Sequence, residues 1–155
     1  MIRNTFYIFI IFCSGLVAAE TLVSAEPDAN KFYQGFRQLV LAGDREKVSE
    51  LIHYPLSGAI QTKADLLASY EAVFTEHLVS LIACTETVEE VGWRGHMLPE
   101  GALWISSFYY GHIKPDKSSP TYVDDFKARI ADTENWYMRV IGINKGVGKC
   151  IKANG

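Results

Sequence analysis

The sequence predicts an α+β domain in which N-terminal helices pack on a curved antiparallel sheet. Three observations carry this reading. Up to Cys84 the apolar residues recur at three- and four-residue steps, beyond it they fall into strand-length runs, and glycines and prolines punctuate both halves. With 155 residues, 48% hydrophobic and 21% charged, the chain can build one core and not two. No internal repeat or low-complexity tract interrupts it.

The first segment belongs to targeting. Met1-Ile2-Arg3-Asn4 carries one positive charge, and Phe6 to Phe12 is uninterrupted apolar chain that continues through Cys13 to Ala19, the order of a secretory signal peptide. Small residues allow cleavage after Ala19 or after Ala25, and the later site, just before Pro27, is preferred. Residues 1–25 are therefore expected to leave, and 26–155 to form the domain. The apolar run is shorter than the roughly 20 residues that span a bilayer, and Ile10-Ile11-Phe12 before Cys13 does not suit lipid attachment. No stable membrane anchor is expected after cleavage.

Each element follows in order. Phe32, Phe36, Leu39 and Val40 predict a helix over 28–42 that Gly43 stops. Asp44 caps a second short helix carrying Val48, Leu51 and Ile52, and Tyr54-Pro55-Leu56 ends it. Residues 57–61 are expected to be extended. Thr62 with Asp65 opens a third helix through Leu66, Leu67, Tyr70, Val73 and Phe74, and Thr75-Glu76 restarts it toward Leu78, Leu81 and Ile82. Residues 93–97, a turn at Pro99-Glu100-Gly101 and the run 102–110 predict an aromatic-rich hairpin. The stretch from Gly111 to Thr133 reads as a loop with a short helical or extended piece, and 136–144 as a central last strand.

Cleavage removes one base, Arg3, and one acid, Glu20, so the mature charge stays at −3. A mildly acidic domain without a basic patch is a poor partner for nucleic acid or anionic lipid. Cys84 and Cys150 are the thiols left after Cys13 departs, in a compartment where disulfides persist, and they are expected to pair.

Phe36 to Asp44, Ile52-His53-Tyr54-Pro55-Leu56, Ala68 to Thr75 and Trp136 to Asn144 together resemble small bacterial periplasmic proteins of the NTF2-like type. The resemblance covers about Phe32 to Asn144 and rests on short structural phrases, without a catalytic signature. It implies a sheet wrapped around a helix into an open cone, with an apolar cavity that relatives use as an active site, as a binding pocket or as core. The chain departs from the simplest pattern in the long insert between Tyr110 and Trp136.

The chemical motifs are thin. His53, His77, His96 and His112 are read as lying on separate helical segments and separate strands, without metal-pair spacing, so no metal and no cofactor is expected. Asp65 and Glu71 flank Tyr70, and enzymes of the resembling type place an acid, a histidine and a tyrosine in the cone. The plainer roles are a helix cap for Asp65 and a solvated Glu71. Glu86, Glu89 and Glu90 read as a solvated turn. No Gly-x-Ser-x-Gly elbow or phosphate loop occurs. Trp104, Ser106, Phe108 and Tyr110 share one side of a strand. These aromatics, with Trp93 and Trp136, are either sheet core or the wall of a pocket for a small apolar ligand. In the second case Tyr54, Tyr70 and Arg94 supply its polar contacts, and Trp104, Phe108 and Trp136 its wall.

The resulting expectation is a periplasmic or secreted binding or interaction module without catalytic activity, its contact surface the cone or the Gly111 to Thr133 loop. One form is an immunity-type protein that neutralises a toxin. The alternative is a small dehydratase, isomerase or hydrolase with an acid–base group in the cone.

Overall fold

The computed structural model of the chain describes residues 28–150; the leader and its two cleavage positions lie outside the described residues. Six helices and a four-stranded antiparallel sheet make up the described part. Helix α1 spans Ala29–Ala42. The Asp28 carboxylate caps it by accepting the N–H groups of Asn30 at 2.9 Å and Lys31 at 3.1 Å, and Gly43 closes it in the left-handed region at φ 71°. Its inward face carries Tyr33, Phe36 and Val40, while Phe32 and Leu39 sit half-buried on its flank.

Helix α2, Arg45–Glu50, follows Asp44, which accepts from the Lys47 N–H. The expected extended piece at 57–61 is instead a tight turn, because Leu56 and Ile60 bond to each other's neighbourhood (Leu56 N to Ile60 O, 2.9 Å; Ile60 N to Ser57 O, 3.2 Å) and the backbone groups are satisfied locally. Helix α3, Lys63–Ala68, begins with the Thr62/Asp65 capping box. A kink at Ser69 separates it from the single turn α4, Tyr70–Val73, and Thr75 caps α5, Glu76–Cys84. The break at Phe74-Thr75 thus falls where the sequence placed it.

The sheet runs in the order β1 (Glu89–Glu90), β2 (His96–Met97), β3 (Leu103–Tyr109), β4 (Trp136–Ile143). β3 and β4 pair from Tyr109↔Trp136 to Leu103↔Ile143, with a bulge at Trp104/Ile105 that bends the ladder. The first half of the predicted hairpin is different. Gly92–Arg94 is a 3₁₀ turn, and only His96 and Met97 join the sheet. Gly92 and Gly95 adopt positive φ, and Gly95 lies so close to the Ile105 carbonyl that a Cβ there would collide with it.

Leu103, Ile105, Met138 and Val140 point into the core and meet Tyr33, Phe36, Leu78, Leu81 and Ile82. The insert between Tyr110 and Trp136 holds α6, Tyr122–Ala131, none of whose residues is buried. His112 lies in this insert and not on a strand. The tail folds back over the β2–β3 turn and α5. Asn144 donates to Gly101 O at 2.7 Å, Gly148 N–H to Glu100 Oε2 at 3.1 Å, and a Cys84–Cys150 disulfide with Cα atoms 5.9 Å apart fixes it. The expected pairing of these two cysteines is present.

Candidate functional site

Among the described residues the positions anticipated for a cone pocket do not together line either of two concavities. Tyr33, Phe36, Leu66, Leu98, Leu103 and Ile105 are fully buried in the core. The two concavities stand out among the described residues at its margins. A pocket of about 220 Å³ sits between the 56–60 turn, Ala72 and Ile143. A larger open groove of about 780 Å³ runs between α1 and the first half of β4, with Phe32, Gly35 and Leu39 on one wall and Trp136, Met138 and Arg139 on the other.

The anticipated pocket residues are dispersed by the fold. Tyr70 is core: its ring stacks on Phe74 at 4.6 Å, Arg45 lies over it at 5.2 Å, and its hydroxyl finds no hydrogen-bond partner among the described residues. Burial pushes its pKa up to about 12 against the opposing pull of Arg45. Tyr54 is half-buried, donates to Ser49 O at 3.0 Å and is raised by burial. Arg94 is exposed on the 3₁₀ turn, its guanidinium 5.7 Å from the ring of Trp93, which is itself 92% exposed. Asp65 serves the helix cap, and Glu71 forms an exposed ion pair with Arg45.

Trp104 and Phe108 share one face of β3, as alternation requires, but it is the face turned away from the core. Both faces of this strand read as apolar, and Leu103 and Ile105 take the inside. The outer face is a continuous aromatic surface. His53 stacks on Phe108 at 4.3 Å with planes 12° apart, Phe108 meets Tyr110 at 6.5 Å, and Tyr110 meets Tyr137 edge-on at 5.5 Å. Arg139 lies 5.8 Å from the Tyr137 ring. Tyr110 is 57% and Tyr137 43% exposed, so water still reaches these rings. Trp104 lies beside Gly142, where a Cβ would make only ordinary contact with it.

Trp136 belongs to the core-facing side and ends in the groove. Its indole N–H donates to Arg129 O at 3.0 Å, and the Arg129 guanidinium lies 5.2 Å from its ring and 4.8 Å from Tyr109. The Tyr109 hydroxyl donates to Asp132 at 2.6 Å and Asn135 to the same carboxylate, bonds that hold the Asp132 carboxyl below its ordinary range. This set fastens α6 to the sheet end.

The outer aromatic face and the groove meet at Tyr137 and Arg139. Sequence reasoning placed both on the last strand without singling them out as site residues, and did not read His53 as an aromatic partner; the alternation of β4 was the available signal. Among the described residues no three His, Cys, Asp or Glu side chains gather at metal-binding distance, and no helix is long and apolar enough to cross a membrane. Set against known proteins, the chain matches no protein family, no curated protein and no solved structure.

Proposed function

We propose that this chain is an exported binding module of the NTF2-like type, acting in the periplasm or outside the cell, whose contact surface is the open sheet face and not an interior pocket. The observation that carries this reading is the pair Tyr110 and Tyr137 exposed on one face, with Phe108 and Arg139 half-buried beside them. Exposed apolar surface of this kind is kept where it is used, and Tyr, Phe and Arg are the residue types that fill interface centres. A disulfide suits an oxidising compartment. A protein partner fits better than a small apolar ligand, since Tyr110 and Tyr137 stand exposed at the surface. An immunity-type role toward a toxin is one form of it.

The enzyme alternative would use Tyr70 Oη or His96 Nδ1, buried polar atoms without a hydrogen-bond partner among the described residues. Neither residue lines the groove or the smaller pocket, which favours the surface reading over the enzyme one.

Tagged residues 26–155, as wild type and as the Tyr110→Ala/Tyr137→Ala double variant, are used to capture partners from a periplasmic extract of the host, with mass spectrometry of protein and small-molecule fractions. A stoichiometric protein held by the wild type and lost by the variant is expected. Equal capture by both chains, or a retained small molecule without a protein, would overturn the proposal.

A further inference from the structure

We infer that the groove between α1 and β4 is a slot for an extended peptide segment that bears a carboxylate and joins β4 by strand addition. This rests on the binding-module reading and names the chemistry of its partner.

The backbone of β4 supplies the first argument. Val140 uses its N–H and its C=O away from β3, donating to Leu51 O at 2.9 Å and accepting from His53 N at 2.8 Å. Pairing from Trp136 to Val140 is uninterrupted, and in an antiparallel ladder every second residue turns the same way. Met138 and Trp136 therefore also present N–H and C=O outward. Among the described residues Ile52 covers this edge at Val140 and the Arg139 side chain covers it at Met138 O, Met138 is 4% exposed, and no strand continues the edge past it. An edge without a strand partner beside an apolar groove is the geometry that extended peptides complete.

Gly35 supplies the second. It stands in the middle of α1, where glycine is among the least favourable residues, and a Cβ there would meet nothing within 4 Å. Close packing of the helix thus does not require it. What a larger side chain would take away is the groove itself, between Phe32 and Leu39 on one side and Met138 on the other. From Trp136 to Arg139 the wall is about 10 Å long at ~3.3 Å per residue, room for a short run of extended chain.

Charge selects the occupant. The Asp28 carboxylate caps α1 and keeps its negative charge at the rim, where the exposed Lys31 and the half-buried Arg139 together outweigh it. The Arg139 guanidinium donates to the outward carbonyl of Met138 at 2.8 Å, a lid over the acceptor. A carboxylate on the incoming strand draws this guanidinium away by the stronger charge-assisted bond and uncovers the carbonyl that the strand's N–H needs. In a chain of net charge −3, the rim is locally cationic.

The test pans a phage library of random linear peptides against residues 26–155 and titrates synthesised winners by calorimetry. Winners are expected to carry at least one Asp or Glu, to shift the amide resonances of Met138 and Trp136, and to lose at least about tenfold in affinity for Gly35→Phe, as removal of a central contact site does. Arg139→Gln is expected to weaken acidic winners and to spare their neutralised analogues. Gly35→Phe is first required to melt at or above the wild-type temperature, which separates a blocked slot from an unfolded one. No winners, or winners indifferent to Gly35→Phe, overturn the slot; so does a wild type that dimerises in dilute solution while Gly35→Phe stays monomeric, which would assign the groove to a second copy. Winners that ignore Gly35→Phe but fail on Tyr110→Ala/Tyr137→Ala leave the binding module standing without the slot.

Discussion

Replacing Tyr33 and Tyr70 by phenylalanine, one at a time, should move stability in different directions although both rings are buried, at 0% and 6% exposure. The Tyr33 hydroxyl donates to Ile82 O at 3.1 Å and Thr85 O at 3.2 Å, carbonyls at the C-terminal end of α5 that the helix cannot satisfy itself. Ile82 O keeps the Arg37 Nε–H at 3.0 Å, so Tyr33→Phe orphans chiefly Thr85 O. Losing a buried hydrogen bond while keeping the ring costs about 1–2 kcal/mol, roughly 3–6 °C of Tm per kcal/mol for a domain of this size. The Tyr70 hydroxyl has no partner among the described residues, and Tyr70→Phe removes a desolvated donor without breaking a bond. Its stability should be unchanged or raised by up to about 1 kcal/mol. Urea titrations of the two variants beside the wild type decide the matter. A loss above about 1 kcal/mol in Tyr70→Phe would mean that the phenol is hydrogen-bonded after all and that the core around it is arranged differently.

Burial raises both tyrosines to about 12 in the folded chain, with Arg37 and Arg45 pulling the other way. Their contribution is complete below the unfolded value near 10 and is lost as pH rises from there toward 12, by at most about 1.4 kcal/mol per pH unit for each; urea midpoints that stay flat across that window would refute it, and Tyr33→Phe should flatten the slope by about half. Cys84→Ser/Cys150→Ser opens a loop with a sequence separation of 66 and should lower stability by roughly 4 kcal/mol, while the denatured wild type should show no thiol reacting between these two positions before reduction. Gly111→Ala places a methyl against the Tyr109 hydroxyl and the Asp132 carboxylate, so hydrogen exchange in α6 should accelerate with core protection intact; unchanged exchange would show that the Tyr109–Asp132 bond does not hold the helix.

The helical half was legible because its signals are local. Asp28, Asp44, Thr62 and Thr75 each accept a backbone N–H within four residues, and Gly43 needs only its own φ to be recognised. The sheet half was legible in outline, but Leu103-Trp104-Ile105 is apolar at successive positions, so periodicity could not say which face meets the helices. That choice belongs to tertiary packing: Leu103 and Ile105 join the core that Tyr33, Phe36 and Leu81 build from far along the chain. The strand expected at Trp93-Arg94 failed on the positive φ of Gly92 and Gly95, which β-propensity ignores. The groove joins residues 28–39 to 136–139 and has no sequence period at all. Its one local sign was a glycine at position 35 inside an otherwise regular helix.

The disulfide has a topological result beyond its stability. Between Cys84 and Cys150 lie the whole sheet and the exposed insert with α6, so the chain from one cysteine to the other is a closed covalent ring. A single peptide-bond cut in the insert, for example among Pro115, Asp116 and Lys117, would leave β3 on one piece and β4 on the other, yet the pieces would still be one molecule. Such a nicked form would migrate as a single band until reductant was added, and then fall into two. The insert can therefore be sacrificed to a passing protease without the two strands that carry the aromatic face parting company.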